Sequence, residues 1–585
     1  EIVSRDWSSD VCSSDLSPEQ TSAVPGRSIH DNLTLVRDVI EYSRMKQGKG
    51  IMLGLDQRKA FDAVNRQFLF DALKIMGLEE EVINTLKCLY DDTKTYIQIN
   101  GHISRGVELG RGVRQGCPLS PSLYAVYIQV VIDFINKQSN IRGIQLPGVT
   151  LKVSAFADDL VVFCQDEKDI EQVFKVFDNF SFATGSFLNV NKTEMLPLSS
   201  ATTITAKYQN MVVEKIKICG VIFSVTDYKE MADNNFAVKK EKAMTVLEKL
   251  KKFKLSLPGK VLLINSLVHS QLHYISGVFP LRRQQLDEVR RQCFSFLWGV
   301  GRREPIKRKW VETSKERGGL GLDNLHDRCS SLFLFHGYIR PSALDFDHPR
   351  ESLFKYFYGL HARKIRSDLY SIGRPHALDL HGVYRVLDNH VMELKSKLEV
   401  LGPIQVGSPQ LYAWISDEKE EVPLLVDLDD QQRKRLFSLW MDGVTSALDK
   451  DFMWRLCVGA LKTGSLIAKY GMPRMNTSCL FCKIELETPA HLFLKCQDLD
   501  HVRRKIIEGV IKIGCSFSQT SDRQVEEANL LFTGLCPLVE SKTIRRNVFK
   551  LVSKSLSSIW MIRNERLFGP GAGDISNALG LIDFL

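Results

Sequence analysis

The chain has 585 residues, more than one ordinary domain holds, and this length predicts about three to five folded units. Hydrophobic residues make up 44% and charged residues 25% of the chain, which is typical of globular proteins and excludes a largely disordered one. Lys and Arg number 78 against 69 Asp and Glu, a formal charge of +9. No apolar run of about eighteen residues and no secretory leader pattern is present, so neither a membrane span nor secretion is predicted.

The 13 cysteines are scattered, apart from one close group near residue 480. This distribution excludes the dense disulfide framework of a small secreted domain, and a reducing compartment is expected. We therefore predict an intracellular protein of the cytoplasm and nucleus.

The N-terminal segment does not look like natural protein sequence. Residues 6–16, DWSSDVCSSDL, look like the translation of a widely used sequencing-library adapter, so residues 1–16 are left out of the fold prediction. We expect that the natural N-terminal region is missing and that the chain is a fragment.

The first predicted element is a buried strand over residues 48–56, GKGIMLGLD, which carries Asp56 at its C-terminal end. A helix should follow, because Asn65 can cap its start and Gly77 is placed to end it. The apolar face of this helix is predicted to contain Leu69, Leu73 and Met76.

A hairpin is predicted over residues 150–165, where two β-rich apolar segments flank Ala157, Asp158 and Asp159. Residues 168–184 then have the apolar spacing of a helix. The order strand, helix, hairpin, helix predicts an α+β domain whose sheet is covered by helices on one side.

Residues 229–298 are predicted to be helical and basic, with breaks at Pro258 and Pro280. Lysines crowd residues 238–260, and arginine pairs follow in residues 282–317. Such clusters are typical of a surface that binds a polyanion, although solvated helix faces would have the same composition.

Three acids are candidates for metal-dependent chemistry: Asp56 at the strand end, and Asp158 and Asp159 at the hairpin tip. Nucleotidyl transfer needs two divalent cations about 4 Å apart, and Mg²⁺ prefers carboxylate oxygens from separate segments. Asp is also common at turns because of its local hydrogen bonds, so an Asp-Asp pair alone does not decide the function.

Four successive segments resemble the motifs of reverse transcriptases, and specifically those of LINE-type (non-LTR) retrotransposons. They are LDQRKAFDAV (55–64), GVRQGCPLSP (112–121), AFADDL (155–160) and GSFLNVNKTEML (185–196). The resemblance runs from GRSIHDN (26–32) to ICGVIF (218–223) and continues more weakly in GKVLLINSLV (259–268) and GGLGL (318–322). The third motif has the phenylalanine form that is common in the non-LTR branch. The resemblance implies a right-hand RNA-directed DNA polymerase.

The resemblance implies that Asp56 and Asp158 bind two Mg²⁺ ions, with Mn²⁺ as a substitute, and that Asp159 is a less indispensable third acid. Asp62 matches a recurrent acid with a structural role. Lys192 matches the lysine that protonates the leaving pyrophosphate, a task suited to a cation near developing negative charge. Without the motif, Lys192 would be read as a solvated surface residue.

Phe61 matches the aromatic residue that lies under the sugar and excludes a 2′-hydroxyl, which implies selection of deoxynucleotides. A buried core phenylalanine is the alternative. The segment that resembles the template- and nucleotide-positioning loop contains Gln115, Gly116, Pro118 and Ser120. Glycine there permits a close backbone approach, although by itself it would only mark a turn.

A second constellation, Cys479-x2-Cys482-x8-His491-x4-Cys496, has the ligand set of a tetrahedral structural zinc site. Unrelated free cysteines are the alternative. The segment resembles the zinc knuckle that follows the polymerase in many LINE-type proteins, which implies contact with RNA or target DNA.

The predicted architecture is α+β: a right-hand polymerase followed by a mainly helical C-terminal region with a small zinc module. Its segments are an adapter-derived leader (1–16), a fingers remnant (17–50), the palm (51–225), a basic helical thumb (226–330), a helical region of unknown role (331–445), a CCHC zinc-knuckle module (446–500) and a helical tail (501–585). In the tail, Trp560 and Arg563 are predicted on accessible faces of a helix that either binds nucleic acid or packs.

The predicted reaction extends a DNA 3′-hydroxyl on an RNA template, as in target-primed reverse transcription, with dNTPs as substrates and an RNA template and a DNA primer or target as partners. Three alternatives are an inactive remnant that binds nucleic acid, an enzyme of the group II intron or telomerase type, and a structural zinc protein. An endonuclease domain is expected upstream in most elements of this kind.

Overall fold

The computed structural model of the protein describes residues 16–299, 304–341, 349–362, 382–394, 397–398, 406–416, 422–441, 445–469, 477–518, 522–536, 539 and 541–568. Most of the predicted leader therefore lies outside the described residues. Contacts divide the chain into two compact units. The first comprises the chain up to Lys240 with Leu272–Arg282 and His326–Ile415, and the second comprises Glu241–Gln271, Arg283–Leu325 and Ser416–Leu585. The predicted thumb, 226–330, is thus divided between both units.

The first part of the chain mixes helices and short strands. In order they are α1 (Ile29–Lys46), β1 (Ile51–Leu55), α2 (Arg66–Ile75), α3 (Glu80–Tyr90), β2 (Lys94–Thr95), β3 (Gln98–Ile99), β4 (His102–Ile103), β5 (Val107–Glu108), α4 (Ser120–Lys137), β6 (Ile144–Leu146), β7 (Val149–Leu151), β8 (Val153–Phe156), β9 (Asp159–Cys164), α5 (Glu167–Thr184), β10 (Glu194–Pro197), β11 (Lys215–Ile218) and β12 (Val221–Ser224).

The later elements are helical. They are α6 (Tyr228–Leu250), α7 (Leu257–Leu263), α8 (Ser270–Ser276), α9 (Arg283–Trp298), α10 (Arg308–Glu312), α11 (Leu325–Leu334), α12 (Pro349–Ala362), α13 (Val383–Glu393), α14 (Ser408–Ser416), α15 (Asp430–Met441), α16 (Ala447–Cys457), α17 (Gly464–Lys469), α18 (Asp500–Lys512), α19 (Arg523–Thr533) and α20 (Lys542–Phe568). None of the described helices is both long enough and apolar enough to cross a membrane.

A four-stranded antiparallel sheet in the order β10-β1-β9-β8 lies at the centre of the first unit. The predicted strand and hairpin are confirmed. Phe156 pairs with Asp159, which leaves Ala157 and Asp158 as the two-residue turn between β8 and β9. Ala157 has a φ of 54°, the left-handed conformation that such tight turns require.

The sheet is covered on both faces, so the prediction of one covered side is wrong. On one face, Leu53 and Val162 belong to a core that α4 and α5 complete. On the opposite face Phe163 is also fully buried. There α1 lies against β8, and Asn32 donates from Nδ2 to Ser154 Oγ at 2.8 Å. Buried polar residues interrupt the apolar pattern of α1. For this reason the sequence did not predict that α1 packs against the sheet.

The capping predictions are confirmed. The Asn65 side chain accepts a hydrogen bond from the Phe68 amide at 3.1 Å at the start of α2. After the end of this helix, Gly77 takes a φ of 88°, a conformation that costs glycine little. Gly185 has the same role after α5, with a φ of 69°.

The second unit is a helical assembly in which α16, α18 and α19 all contact the long helix α20. Its core also contains Cys479 and Cys496 of the predicted zinc module. Cys515 and Cys536 form a disulfide with a Cα–Cα distance of 6.2 Å, a pairing that the scattered cysteines did not predict.

Candidate active site and metal centre

Three acids lie at one end of the central sheet. Leu55 pairs with Leu160 in the antiparallel register of β1 and β9, so Asp56 and Asp159 occupy the next opposed positions. Asp158 lies in the adjoining turn. The register therefore brings all three predicted acids to the same end of the sheet.

The electrostatics of this site favour a cation. Desolvation and the negative charge of Asp158 raise the pKa of the partly exposed Asp159 carboxyl, and Asp56 adds to the effect. Like charges this close repel each other, and a bound cation would relieve the repulsion. Among the described residues, however, the carboxylate oxygens of these three side chains do not all lie within 4.8 Å of one another. A shared ion would require them to turn toward it.

The fourth motif lies directly beside Asp56. The Asn189 amide donates to the Asp56 carbonyl at 2.7 Å, and Asn189 Nδ2 donates to Asp56 Oδ2 at 3.0 Å. Lys192 Nζ lies 4.0 Å from the same Oδ2, and its side chain is 70% exposed. The structure thus brings the predicted Lys192 to the predicted acid. Asn189 was not predicted, although its position three residues before Lys192 in the motif was a usable signal.

A cavity of about 650 Å³ opens beside these groups. Its lining is rich in cations and includes Asp56, Asp62, Arg58, Lys59, Arg111 and Lys192. Arg111 is held in place, because Nη2 donates to the carbonyls of Ala63 and Thr184, each at 2.7 Å. A polyanionic group such as a triphosphate would be attracted to this lining. Sequence reasoning did not single out Arg58, Lys59 or Arg111.

A second cavity, of about 380 Å³, gathers the residues predicted to position template and nucleotide. Its lining contains all five of them: Phe61, Gln115, Gly116, Pro118 and Ser120. The chain can fold this way because Gly112 has a φ of 88° and an added Cβ there would lie 2.8 Å from the Asp62 carbonyl oxygen. The second motif is therefore packed directly onto the end of the first.

The members of this cavity differ in what they contact. Phe61 is half-buried and stacks on Tyr124, with ring centroids 4.5 Å apart and planes 16° from parallel. Gln115 Nε2 donates to Asp62 Oδ1 at 3.0 Å. Ser120 is buried, and its hydroxyl donates to the Arg114 carbonyl at 2.6 Å, which holds the loop at the start of α4.

The four predicted zinc ligands converge in the second unit. Their ligand atoms all lie within 4.8 Å of one another, with Cys479 Sγ 3.8 Å from Cys496 Sγ and Cys482 Sγ 3.4 Å from His491 Nε2. Tetrahedral zinc with thiolate ligands separates two sulfurs by about 3.8 Å. Three thiols and one imidazole therefore fit zinc in type and spacing.

Neighbouring groups prepare His491 and Cys482 for a metal, whereas burial raises the pKa of the Cys479 and Cys496 thiols. Glu485 Oε2 lies 2.8 Å from His491 Nδ1, which leaves Nε2 facing the sulfurs. Although desolvation opposes the change, hydrogen bonds from the backbone of Glu485 and Ile484 and from His491 lower the pKa of the Cys482 thiol to about 7. A thiol that ionises near neutral pH is a ready metal ligand.

Helix α20 packs against this module. Arg563 is only 2% exposed and is ion-paired with the fully buried Glu487 at 2.6 Å. Arg566 stacks over the ring of Phe481, with its guanidinium 4.6 Å from the centroid. Of the two predicted roles for the tail, Arg563 has the packing role, and its predicted accessibility is wrong.

The described geometry agrees with the comparisons with known proteins. Residues 5–223 match the family described as reverse transcriptase (RNA-dependent DNA polymerase), and residues 426–502 match the family described as zinc-binding in reverse transcriptase. The chain therefore carries a reverse transcriptase domain followed by the zinc-binding module of such enzymes.

The relatives are retrotransposon proteins, as the motif resemblance predicted. The chain is 31% identical over 300 residues to the "Transposon TX1 uncharacterized 149 kDa protein" of Xenopus laevis, covering 50% of this chain and 22% of the relative. It is 26% identical over 175 residues to the "Retrovirus-related Pol polyprotein from type-2 retrotransposable element R2DM" of Drosophila melanogaster, covering 30% of this chain and 16% of the relative. The chain is similar to these retrotransposon proteins, and it spans only about a fifth of the length of the two relatives.

Among solved structures, apo telomerase from Candida tropicalis is similar at 14% sequence identity, over 35% of this chain and 39% of that one. The TM-score is 0.26, which is too low to indicate a shared fold.

Proposed function

We propose that the chain is an RNA-directed DNA polymerase that extends a DNA 3′-hydroxyl on an RNA template, as in the target-primed synthesis of a non-LTR retrotransposon. The main observation in support of the proposal is the pairing of β1 with β9. This register puts Asp56 opposite Asp159, and Asp158 lies in the adjoining turn. Asp56 also lines the cationic cavity, and the chain has a reverse transcriptase domain.

Asp56, Asp158 and Asp159 would hold two divalent cations, Mg²⁺ or Mn²⁺, because carboxylate oxygens suit such hard ions. When bound, these ions supply activation of the primer 3′-hydroxyl and neutralise charge on the leaving pyrophosphate. Asn189 orients the Asp56 carboxylate through its 3.0 Å hydrogen bond. The acids and Asn189 thus fix where positive charge can be bound.

The cations of the larger cavity would bind the triphosphate of the incoming dNTP. Lys192 is the group that we propose donates a proton to the departing pyrophosphate, because it is exposed and lies 4.0 Å from Asp56. Phe61 would stack under the sugar and exclude a ribose 2′-hydroxyl. Gln115 and Gly116 would position the template and nucleotide in the second cavity.

Cys479, Cys482, His491 and Cys496 would hold one structural zinc ion that stabilises the C-terminal module. We propose that this module contacts RNA or target DNA. In this proposal the module binds nucleic acid, and the acids at the end of the sheet catalyse polymerisation.

The test is primer extension by the whole chain, with a labelled DNA primer on an RNA template, dNTPs and Mg²⁺. Extension that requires the RNA template and Mg²⁺ is expected. Folded protein that binds the primer–template but extends it under no condition would refute the polymerase proposal and favour the inactive, nucleic-acid-binding remnant.

A further inference from the structure

The ring of Phe61 lies on the ring of Tyr124, a residue of α4. The two ring centroids are 4.5 Å apart, and the ring planes are 16° from parallel. The side chains differ in exposure, because Tyr124 is fully buried whereas Phe61 is half-buried and lines the second cavity. Tyr124 therefore supports, from inside the protein, the ring that lines the proposed nucleotide site.

The backbone around Phe61 is held by the second motif. The Val113 amide donates to the Phe61 carbonyl at 2.9 Å, and the Gly112 amide donates to the Val64 carbonyl at 2.8 Å. With the backbone fixed, the freedom that remains to Phe61 is rotation about its side-chain torsions. Such a rotation would break the stack with Tyr124, and stacked aromatic pairs contribute more than their buried area alone. The stack therefore restricts the orientation of the Phe61 ring.

Tyr124 is itself held in place, so it does not follow a movement of the Phe61 ring. Its hydroxyl donates to Gln57 Oε1 at 3.0 Å, within the buried interior. Gln57 is in turn paired with Leu188 of the fourth motif through an antiparallel bridge. The support for Phe61 thus extends from α4 to the segment that follows β1.

We propose that Tyr124 is a positioning residue that determines sugar specificity: its ring keeps the Phe61 ring where it excludes a ribose 2′-hydroxyl. The inference rests on the proposed function, because Phe61 can select a sugar only in a chain that binds nucleotides. A ring excludes a hydroxyl group only if it cannot rotate aside, since one oxygen atom needs little space. Selection of deoxynucleotides then depends on a fully buried residue as well as on the residue that lines the cavity.

The test measures kcat/KM for a dNTP and for the matching rNTP in primer extension by the unchanged chain, Tyr124→Leu and Tyr124→Phe. The leucine variant has no ring to support Phe61, and the loss of one aromatic pair should lower the preference for the dNTP by roughly fivefold. The change should come mainly from better use of the rNTP. An unchanged preference in a folded Tyr124→Leu protein would overturn the inference.

The phenylalanine variant separates the ring from the hydroxyl. Tyr124→Phe keeps the stacked ring and should retain most of the preference for the dNTP. A loss as large as that of the leucine variant would show that the ring is not the support. If the leucine variant does not fold, Tyr124→Met, with an adaptable side chain and no ring, takes its place.

Tyr127→Leu is the matched control, because Tyr127 is a fully buried tyrosine of the same helix. In the described ring contacts it pairs with Phe68, Phe180 and Tyr124 rather than with Phe61. Chemical denaturation should show similar losses of unfolding free energy in the two leucine variants, whereas only Tyr124→Leu should change the sugar preference. An equal change in Tyr127→Leu would assign the effect to general destabilisation and overturn the positioning role.

A double variant tests whether Tyr124 acts through Phe61. If it does, Phe61→Val combined with Tyr124→Leu should have the sugar preference of Phe61→Val alone, because the supported ring is already absent. Two effects that multiply would show that Tyr124 influences the sugar by another route, and the inference would be wrong.

Failure of the proposed function gives a different result. If the unchanged chain extended no primer, calorimetry would compare the binding of the dNTP and the rNTP to its complex with primer–template. Preferential binding of the dNTP that is reduced in Tyr124→Leu would support the inference without catalysis. An unreduced preference, or binding of neither nucleotide, would overturn it.

Discussion

Arg563 of α20 and Glu487 of the zinc module form a buried, bidentate ion pair. Arg563 Nε lies 3.1 Å and 3.2 Å from the two carboxylate oxygens, and Nη2 lies 2.6 Å from Oε1. Glu487 also accepts a hydrogen bond from the Gly464 amide at 3.1 Å. The pair therefore connects α17, the zinc loop and α20 within one unit.

Removing one partner of this pair should destabilise the second unit strongly. Arg563→Ala leaves the Glu487 charge buried and unpaired, which costs roughly 3–5 kcal/mol of unfolding free energy. Chemical denaturation measures this loss, and zinc release should be faster in the variant. Arg504→Ala is the control, since Arg504 pairs with Asp500 while its side chain is 75% exposed. Equal stability of the Arg563 variant and the unchanged chain would contradict the assigned role.

Asp158→Asn should abolish most polymerisation while leaving nucleic-acid binding intact. The change keeps the size of the side chain but removes the charge that would hold a cation. A loss of about 4 kcal/mol of transition-state stabilisation slows the reaction on the order of a thousandfold. Single-turnover extension measures the rate, and a filter-binding assay measures affinity.

Asp71→Asn is the matched control, because Asp71 is an exposed acid on α2 that hydrogen-bonds only to Gln67 among the contacts described for it. It should extend primers normally. Near-normal extension by Asp158→Asn would show that the hairpin acids are turn residues and would end the two-cation mechanism.

Phe61→Val should weaken the preference for deoxynucleotides. The stacked ring of Phe61 lines the second cavity, and a smaller side chain makes room for a 2′-hydroxyl. Competing dNTP and rNTP incorporation measures the preference, which should fall at least about tenfold. Phe182→Val is the control, since that ring is 94% exposed on α5. An unchanged preference would make Phe61 a packing residue only.

Cys482→Ser should reduce bound zinc from one equivalent toward none and loosen the module, because thiolate ligation contributes directly to the folding of such sites. Elemental analysis of protein purified without chelator measures the metal, and hydrogen exchange measures the loosening. Primer extension should persist. Cys88→Ser, at an exposed cysteine, should keep its zinc. A lack of zinc in the unchanged chain would remove the metal assignment.

The parts of the fold that the sequence predicted depend on local signals. The apolar run before Asp56 forms a strand, and the side chain of Asn65 caps a helix. Both effects involve residues that are close in sequence, so they can be predicted from the sequence alone. The convergence of the cysteines and His491 was predictable because zinc ligation restricts residue type and spacing.

The missed features depend on contacts between distant segments. Asn189 meets Asp56 across 133 positions, and Arg563 meets Glu487 across 76. The accessible-face prediction for Arg563 was wrong because a charged side chain is usually exposed, and only its buried partner reverses this. Residues 331–445 were predicted to be helical, but the sequence did not indicate which segments those helices contact.

The adjacent residues Phe61 and Asp62 line different cavities, so one short segment of backbone separates the two spaces. Gln115, in the wall of the smaller cavity, is hydrogen-bonded to Asp62 in the wall of the larger. Gly112 also packs closely against this segment, since an added Cβ there would lie 2.8 Å from the Asp62 carbonyl oxygen. A molecule that displaced this segment from one side would therefore change the shape of the cavity on the other side.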